Sequence, residues 1–251
     1  MLRAFGASDK GAVRATNEDQ FAIDESLRLC VVADGMGGHN AGEVAARMAV
    51  SGVVEFVGRV PHMHWPIGFD ASLSEEANLL RTAIHLANLR IFETASQDGQ
   101  YAGMGTTIVV SMVTGSRLTV AHVGDSRLYV ATERGIRQMT RDDSWLATVL
   151  AQDPDADPAV LRNHPMRNAL TNVVGARPRT DVHVAEEALT GEARLLLTTD
   201  GVHGVLSDKE LEHLVRGDGD LSAVAARIVS AAIAAGSRDN CTAVVARYVP
   251  D

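Results

Sequence analysis

Apolar residues in this chain fall into short β-rich runs, most of them closed by glycine, aspartate or asparagine. Such runs read as strands, and the pattern predicts them near 3–8, 20–24, 28–33, 106–113, 117–123, 126–132, 180–185, 193–199 and 241–249. Most are joined by tight turns, such as Thr114-Gly115-Ser116, which favours antiparallel pairing. Three longer segments carry helical periodicity instead. The segment 41–58 is apolar almost all round, apart from Glu43, Arg47, Ser51 and Glu55, as in a helix covered by other layers. The segment 74–97 gathers Leu80, Ala83, Ile84, Ala87 and Ile91 on one face, with Asn78, His85 and Glu93 away from it. The segment 220–235 does the same with Leu221, Val224, Ala225, Ile228, Val229 and Ala232. Helices arriving in blocks between runs of antiparallel strands predict a layered α/β sandwich, two stacked antiparallel sheets flanked by helices, rather than a doubly wound parallel sheet. The proline-bearing stretches 59–73 and 141–169 read as irregular, and the second is long enough to form a flap with short helices near a site.

Composition narrows the picture. A chain of 251 residues, 46% hydrophobic, can bury a substantial core, and one domain over 1–251 is the expectation. The 23 Lys and Arg against 32 Asp and Glu leave a formal charge of −9, with no basic run to track a phosphate backbone, so nucleic acid is not an expected partner. Cys30 and Cys241 each lie in an apolar strand candidate and read as small buried hydrophobes, not as a disulfide framework. The chain shows neither a secretory leader at its N-terminus nor an apolar stretch long enough to span a bilayer, so the expected setting is cytoplasmic and away from membranes.

The candidate chemistry lies where apolar runs meet acids. Cys30-Val31-Val32-Ala33 leads into Asp34-Gly35, the run ending at Gly124 into Asp125, and Leu195-Leu196-Leu197-Thr198-Thr199 into Asp200-Gly201; Asp239-Asn240 stands just before the last run. Any one Asp-Gly pair is ordinary turn chemistry. Four such acids at strand ends, without matching cations in their motifs, repel one another unless a divalent cation neutralises them. Carboxylates with a backbone carbonyl at Gly35 form a hard-oxygen ligand set, suited to Mg²⁺ or Mn²⁺. Two such ions sharing a carboxylate, about 3.5 to 4 Å apart, can generate a hydroxide and aim it for in-line attack at phosphorus, so a phosphate ester is the natural substrate. Arg14, just before Glu18-Asp19, offers a planar fork for phosphate oxygens, although taken alone it reads more readily as a solvated surface arginine. Asn17 is placed to hold the intervening turn.

Six motifs then occur in a telling order: Ser8 through Asp19, Val32-Ala33-Asp34-Gly35-Met36-Gly37-Gly38-His39, Gly103-Met104-Gly105-Thr106-Thr107, Val123-Gly124-Asp125-Ser126-Arg127, Thr199-Asp200-Gly201 and Ser237-Arg238-Asp239-Asn240. Over nearly its whole length the chain resembles the bacterial PPM family, the type 2C metal-dependent protein serine/threonine phosphatases. The resemblance implies an αββα sandwich, two Mn²⁺ or Mg²⁺ ions, and removal of phosphate from phosphoserine and phosphothreonine by a metal-bridging hydroxide. It further implies phosphorylated proteins as partners, among them a Ser/Thr kinase and its substrates. Position by position, Asp34 matches the carboxylate bridging both metals, Gly35 a carbonyl ligand, and Asp200 and Asp239 the remaining ligands of one ion. Glu18 and Asp19 match positions that bind the second metal directly or through water, Arg14 the phosphate clamp, and Asp125 a ligand of a weaker third ion. Asn240 and Thr106 match supporting positions, and Ser126 and Arg127 support their loop. The chain departs from the pattern at three places. Met36 stands where many eukaryotic members carry a histidine proposed as general acid, so protonation of the leaving oxygen falls to a metal-coordinated water or another group. Gly204 replaces an aspartate that helps hold the third ion, which implies a weak or empty third site, with His203 beside it as a poor substitute. Asp143 replaces a histidine at the opening of the flap and implies altered flap contacts.

Rival readings exist. Cys241 and Arg247 have the C-x5-R spacing of cysteine-dependent phosphatases, but the residues between them read as a strand, not a phosphate-cradling loop. His62 and His64 could suggest a metal pair, yet sit in a proline-bearing loop without further ligands. A non-catalytic relative that senses phosphate would have lost metal carboxylates, and Asp34, Asp200 and Asp239 are all present.

Overall fold

A computed structural model describes residues 2–38, 41–59, 65–153, 156, 160, 161 and 164–250. The strands are β1 (Leu2–Asp9), β2 (Asp19–Asp24), β3 (Leu29–Met36), β4 (Gly105–Thr106), β5 (Ile108–Thr114) and β6 (Arg117–Val123). They continue with β7 (Arg127–Thr132), β8 (Gly135–Gln138), β9 (His183–Ala188), β10 (Ala193–Thr198) and β11 (Cys241–Tyr248). One sheet runs β1-β11-β10-β7-β8; the other runs β2-β3-β5-β6-β9, with β4 also paired to β3. All these pairings are antiparallel. Helices α1 (Ala41–Gly58) and α2 (Glu75–Gln97) cover the second sheet, and α5 (Asp208–Val215) and α6 (Leu221–Ala234) cover the first. Two further helices are α3 (Trp145–Gln152) and the four-residue α4 (Asp200–His203), which begins at one of the acids. The expected αββα sandwich is the observed fold.

Strand alternation assigns each apolar residue to one of three cores. In β3, Cys30 and Val32 enter the core between the sheets, while Leu29, Val31 and Ala33 pack under α1 and α2. In β11, Val244 and Ala246 face the other sheet, and Cys241, Ala243 and Val245 face α6. Because both faces are covered, these strands are apolar at nearly every position.

The structure moves some boundaries and adds elements. The strand expected at 180–185 begins at His183, and β4 and β8 were not anticipated because each is too short to show alternation. Helix α5 was also missed, although Ser207 and Glu210 form a capping box at its start, a signal present in the sequence. The stretch 65–73 contains turns and no helix or strand, and α3 occupies part of 141–169. His39, Pro61, His62 and His64 lie outside the described residues.

The cysteine alternative fails on geometry. Cys241 is fully buried, and its thiol is pushed up by burial, so it stays protonated. Five residues of strand separate it from Arg247, roughly 20 Å of rise over the six steps, and Arg247 is exposed and paired with Glu192 at 2.7 Å.

Candidate metal centre and active site

The acids come from both sheets and meet at one end of the sandwich. Asp34 lies within β3, two residues before its end, rather than after it; Asp19 opens β2, Asp200 opens α4, and Asp239 precedes β11. The β2–β3 register sets Asp19 directly against Asp34. Glu18, Asp34, Asp125, Asp200 and Asp239 line one cavity of about 490 Å³, together with Arg14, Gly35 and Asn240. Asn168, Ala169 and Leu170 form its far wall. A larger cavity of about 590 Å³ between 130–137 and 187–193 has Arg137 and Glu187 in its lining paired with each other and gathers no cluster of aspartates, so size does not mark the site.

Close backbone approach makes this convergence feasible. A Cβ on Gly35 would stand 2.1 Å from the Gly42 carbonyl oxygen, and one on Gly201 1.9 Å from that of Asn240. Both are impossible contacts, so only glycine lets α1 and the 239–240 turn close on the acids. Threonine and asparagine side chains then fasten the floor. Thr106 Oγ1 donates to the Asp34 carbonyl at 2.8 Å, and the Asp34 N–H donates to Thr107 Oγ1 at 3.0 Å. Thr107 Oγ1 in turn shares a hydrogen bond with Ser126 Oγ at 2.7 Å. Asn240 accepts from the Glu18 N–H at 2.8 Å and donates to the carbonyls of Lys10 and Thr16, tying three segments together. Asn17 accepts from the Asp19 N–H and donates to Ser8, which holds the turn before β2.

The electrostatics are those of crowded acids. Burial, followed by Asp19, Asp200, Asp125 and Asp239, lifts Asp34 well above the usual carboxylate range. Burial followed by the Asp239 charge raises Asp200, which lies within hydrogen-bonding reach of Asp34. Burial, then Asp200, pushes Asp125 up to about 7. Asp19 is also pushed up to about 7, mainly by burial, although Thr199 and Thr242 hydroxyls both donate to its Oδ2. It lies beneath the floor and does not line the cavity. Arg14 is half exposed and donates to Asp239 Oδ2 at 2.7 Å, so the expected phosphate clamp and an expected metal ligand are paired with each other.

Hard divalent cations fit this site. The donor set is all oxygen, and the buried Asp200 Oδ1 and Asp19 Oδ1 have no hydrogen-bond partner. Among the described residues no three His, Cys, Asp or Glu side chains converge at metal-ligand spacing. The acids ring the cavity instead, and the Arg14 guanidinium occupies the Asp239 oxygen facing it.

Gly204, the residue read as a departure from the family pattern, caps α4: its N–H donates to the Asp200 carbonyl at 2.7 Å. His203 turns to Thr198, sharing a hydrogen bond at 2.9 Å, and burial with the nearby Arg127 charge keeps its ring neutral. It does not line the acid cavity, and neither does any other histidine among the described residues. Met36 is on the cavity rim, 42% exposed. Sequence reasoning missed Thr107 and the wall Asn168–Leu170. The first was visible only as part of a motif, and the second carries no chemical signature.

Residues 11–235 match the family model for protein phosphatase 2C. The chain belongs to the protein phosphatase 2C family. It is 31% identical over 249 residues to the serine/threonine protein phosphatase PstP of Mycobacterium tuberculosis, an alignment covering 99% of this chain but 45% of that relative. The chain thus spans about half the length of that relative. It is also 31% identical over 239 residues to the serine/threonine phosphatase stp of Listeria welshimeri, covering 94% of this chain and 91% of that one. Among solved structures, the catalytic domain of PstP in complex with two manganese ions superposes with a TM-score of 0.83 at 27% identity, covering 100% of this chain and 99% of that one. The acids at the strand ends therefore belong to a family fold in which a relative carries a pair of manganese ions.

Proposed function

We propose that this protein is a metal-dependent protein serine/threonine phosphatase, with 1–251 as one catalytic domain and 141–169 as its flap. The observation that carries the reading is the ring of five acids around one cavity with a single arginine fork among them. In this reading Asp34, Asp200 and Asp239, with the Gly35 carbonyl, would hold a pair of Mn²⁺ or Mg²⁺ ions, with Glu18 at the edge of the second one and Asp19, beneath the floor, reaching it only through water. Asp125 is the acid left for a third ion; with Gly204 in place of a carboxylate, that site is weak. When bound, such ions offset the charge of the phosphate and acidify a coordinated water, which supplies the attacking group at neutral pH.

The remaining steps belong to side chains of the chain. Arg14 exchanges Asp239 for two phosphate oxygens of the substrate, which its planar fork can grip bidentately and so orient for in-line displacement. Asn240 and Thr106 keep the floor rigid, so the acids need little reorganisation as charge develops. The open mouth of the cavity suits a phosphorylated loop or tail of a protein. Substrates are phosphoproteins, among them a Ser/Thr kinase whose signal this enzyme opposes, and the setting is the cytoplasm.

A phosphothreonine peptide assay tests the reading. The chelated protein is expected to release no phosphate, added Mn²⁺ to restore release, and Asp239→Asn to abolish the response; release that ignores chelator and Asp239→Asn would sink it. Arg14→Ala is expected to raise KM about tenfold with Mn²⁺ affinity little changed, as measured by calorimetry. An unchanged KM removes Arg14 from the clamp.

A further inference from the structure

The three residues that open the flap segment are each held by hydrogen bonds to residues outside it. Arg141 N–H donates to His122 Nε2 at 3.3 Å. Asp142 takes Arg127 in a two-pronged pair, Nε and Nη2 donating to its carboxylate at 3.0 and 2.7 Å. Asp143 does more. Its N–H donates to the Gly124 carbonyl, and its Oδ2 accepts from the Gly124 N–H, both at 3.0 Å. The same Oδ2 accepts from Asn172 Nδ2 at 2.8 Å, and the Asp143 carbonyl accepts from the Thr171 N–H at 2.8 Å. Oδ1 accepts from His183 Nε2 at 2.8 Å, and the His183 ring stacks on His122, its register partner, at 5.0 Å. The Asp143 side chain is only 12% exposed.

One carboxylate therefore joins the loop before Asp125, the return of the flap and the first residue of β9. The return matters because Asn168–Leu170 form the cavity wall facing the acids. Trp145 N–H donates to the Ala169 carbonyl at 2.8 Å, and Ser144 bridges to Leu170, so the wall is paired to the residues that follow Asp143. Farther along, Thr106 and Val174 exchange hydrogen bonds and fix the other end independently. The wall thus hangs on a short run of pairings, Asp143 with Thr171, Ser144 with Leu170 and Trp145 with Ala169, and Asp143 is the member of that run whose side chain is tied into the sheets, through Gly124 and His183.

We propose that Asp143, supported by His183, is a positioning residue that sets the Asn168–Leu170 wall against the acid floor for the peptide part of a phosphoprotein. The proposal rests on the phosphatase reading above. A peptide substrate extends beyond its phosphate onto the wall, whereas p-nitrophenyl phosphate is small enough to react on the floor alone. A displaced wall should thus discriminate between the two, which a general loss of stability would not.

The test uses the full chain with saturating Mn²⁺, a phosphothreonine peptide and p-nitrophenyl phosphate. Asp143→Ala is expected to raise KM for the peptide about tenfold and for p-nitrophenyl phosphate about twofold. His183→Phe, which keeps a ring against His122 but loses the donor, should give a smaller shift of the same kind, and His183→Gln, which retains an N–H donor, should recover most of it. In hydrogen exchange, the Trp145 and Thr171 amides should lose protection in Asp143→Ala and His183→Phe while β3 and β11 keep theirs. Equal shifts for both substrates, no shift, or uniform loss of protection overturns the proposal. Should Asp143→Ala fail to fold, His183→Phe carries both measurements. If the unaltered protein hydrolyses neither substrate, the phosphatase reading falls, and the exchange pattern still decides whether His183 and Asp143 fix the wall.

Discussion

The floor and the wall of the cavity are built by different means. Asp34 sits on β3, whose neighbours β2 and β5 pair with it on both sides, over side chains that are fully buried. The wall follows α3, a helix of eight residues with no buried side chain, and is held chiefly through Asp143, Ser144, Trp145 and the Thr106–Val174 pair. Crowded acids need the first kind of support. Holding like charges together costs free energy that only a close-packed, ladder-bonded frame supplies. A surface that meets varied peptides needs the second kind, in which local rearrangement does not disturb the core.

The largest effect should come from Asp34→Asn, which is expected to reduce phosphate release about a thousandfold while stabilising the chelated protein. The sign follows from the raised carboxylates. Asp19 and Asp125 titrate near 7 in the folded chain against about 3.9 unfolded. Their contribution is fully present below about pH 4 and is lost as pH rises through about 7. The melting temperature of the chelated protein should therefore fall from pH 5 to pH 8, less so in Asp34→Asn, and Mn²⁺ should restore it at pH 8. A melting temperature that is flat with pH, or an Asn variant less stable than the parent in chelator, would remove mutual repulsion from the account.

Next in size is Gly35→Ala, which forces a methyl onto the Gly42 carbonyl and should cost about 1–3 kcal/mol of global stability by denaturant unfolding. An unaltered midpoint would show that α1 can back away from the floor. The smallest effect is expected from Ser144→Ala. It removes the α3 cap bond to the Ala147 N–H and should cost about 1 kcal/mol, felt in the flap alone. Proteolysis within the flap should quicken while the melting temperature holds. A global loss there would erase the distinction between floor and wall.

Part of this architecture was legible because covering a strand on both faces leaves a continuous apolar run that ends abruptly at a polar residue. That is why β3, β10 and β11 could be read together with the acids beside them. The same continuity hid which face each residue uses: Val32 and Val31 look alike in the sequence but enter different cores. Elements of two to four residues such as β4 and β8 have too few positions to show a period. Helix α5 was legible at Ser207-Glu210 and was passed over because its apolar face is short.

The sequence by itself determined the acids, the arginine and the motif order that names the family, since these are matters of residue type and spacing. Tertiary structure alone decided that Asp19 lies under the floor rather than in the cavity, that Arg14 grips Asp239, and that Asp143 ties three segments together. Each of these depends on contacts between residues up to 225 positions apart. Their geometry is set by how two sheets stack, and no local pattern of side chains encodes that.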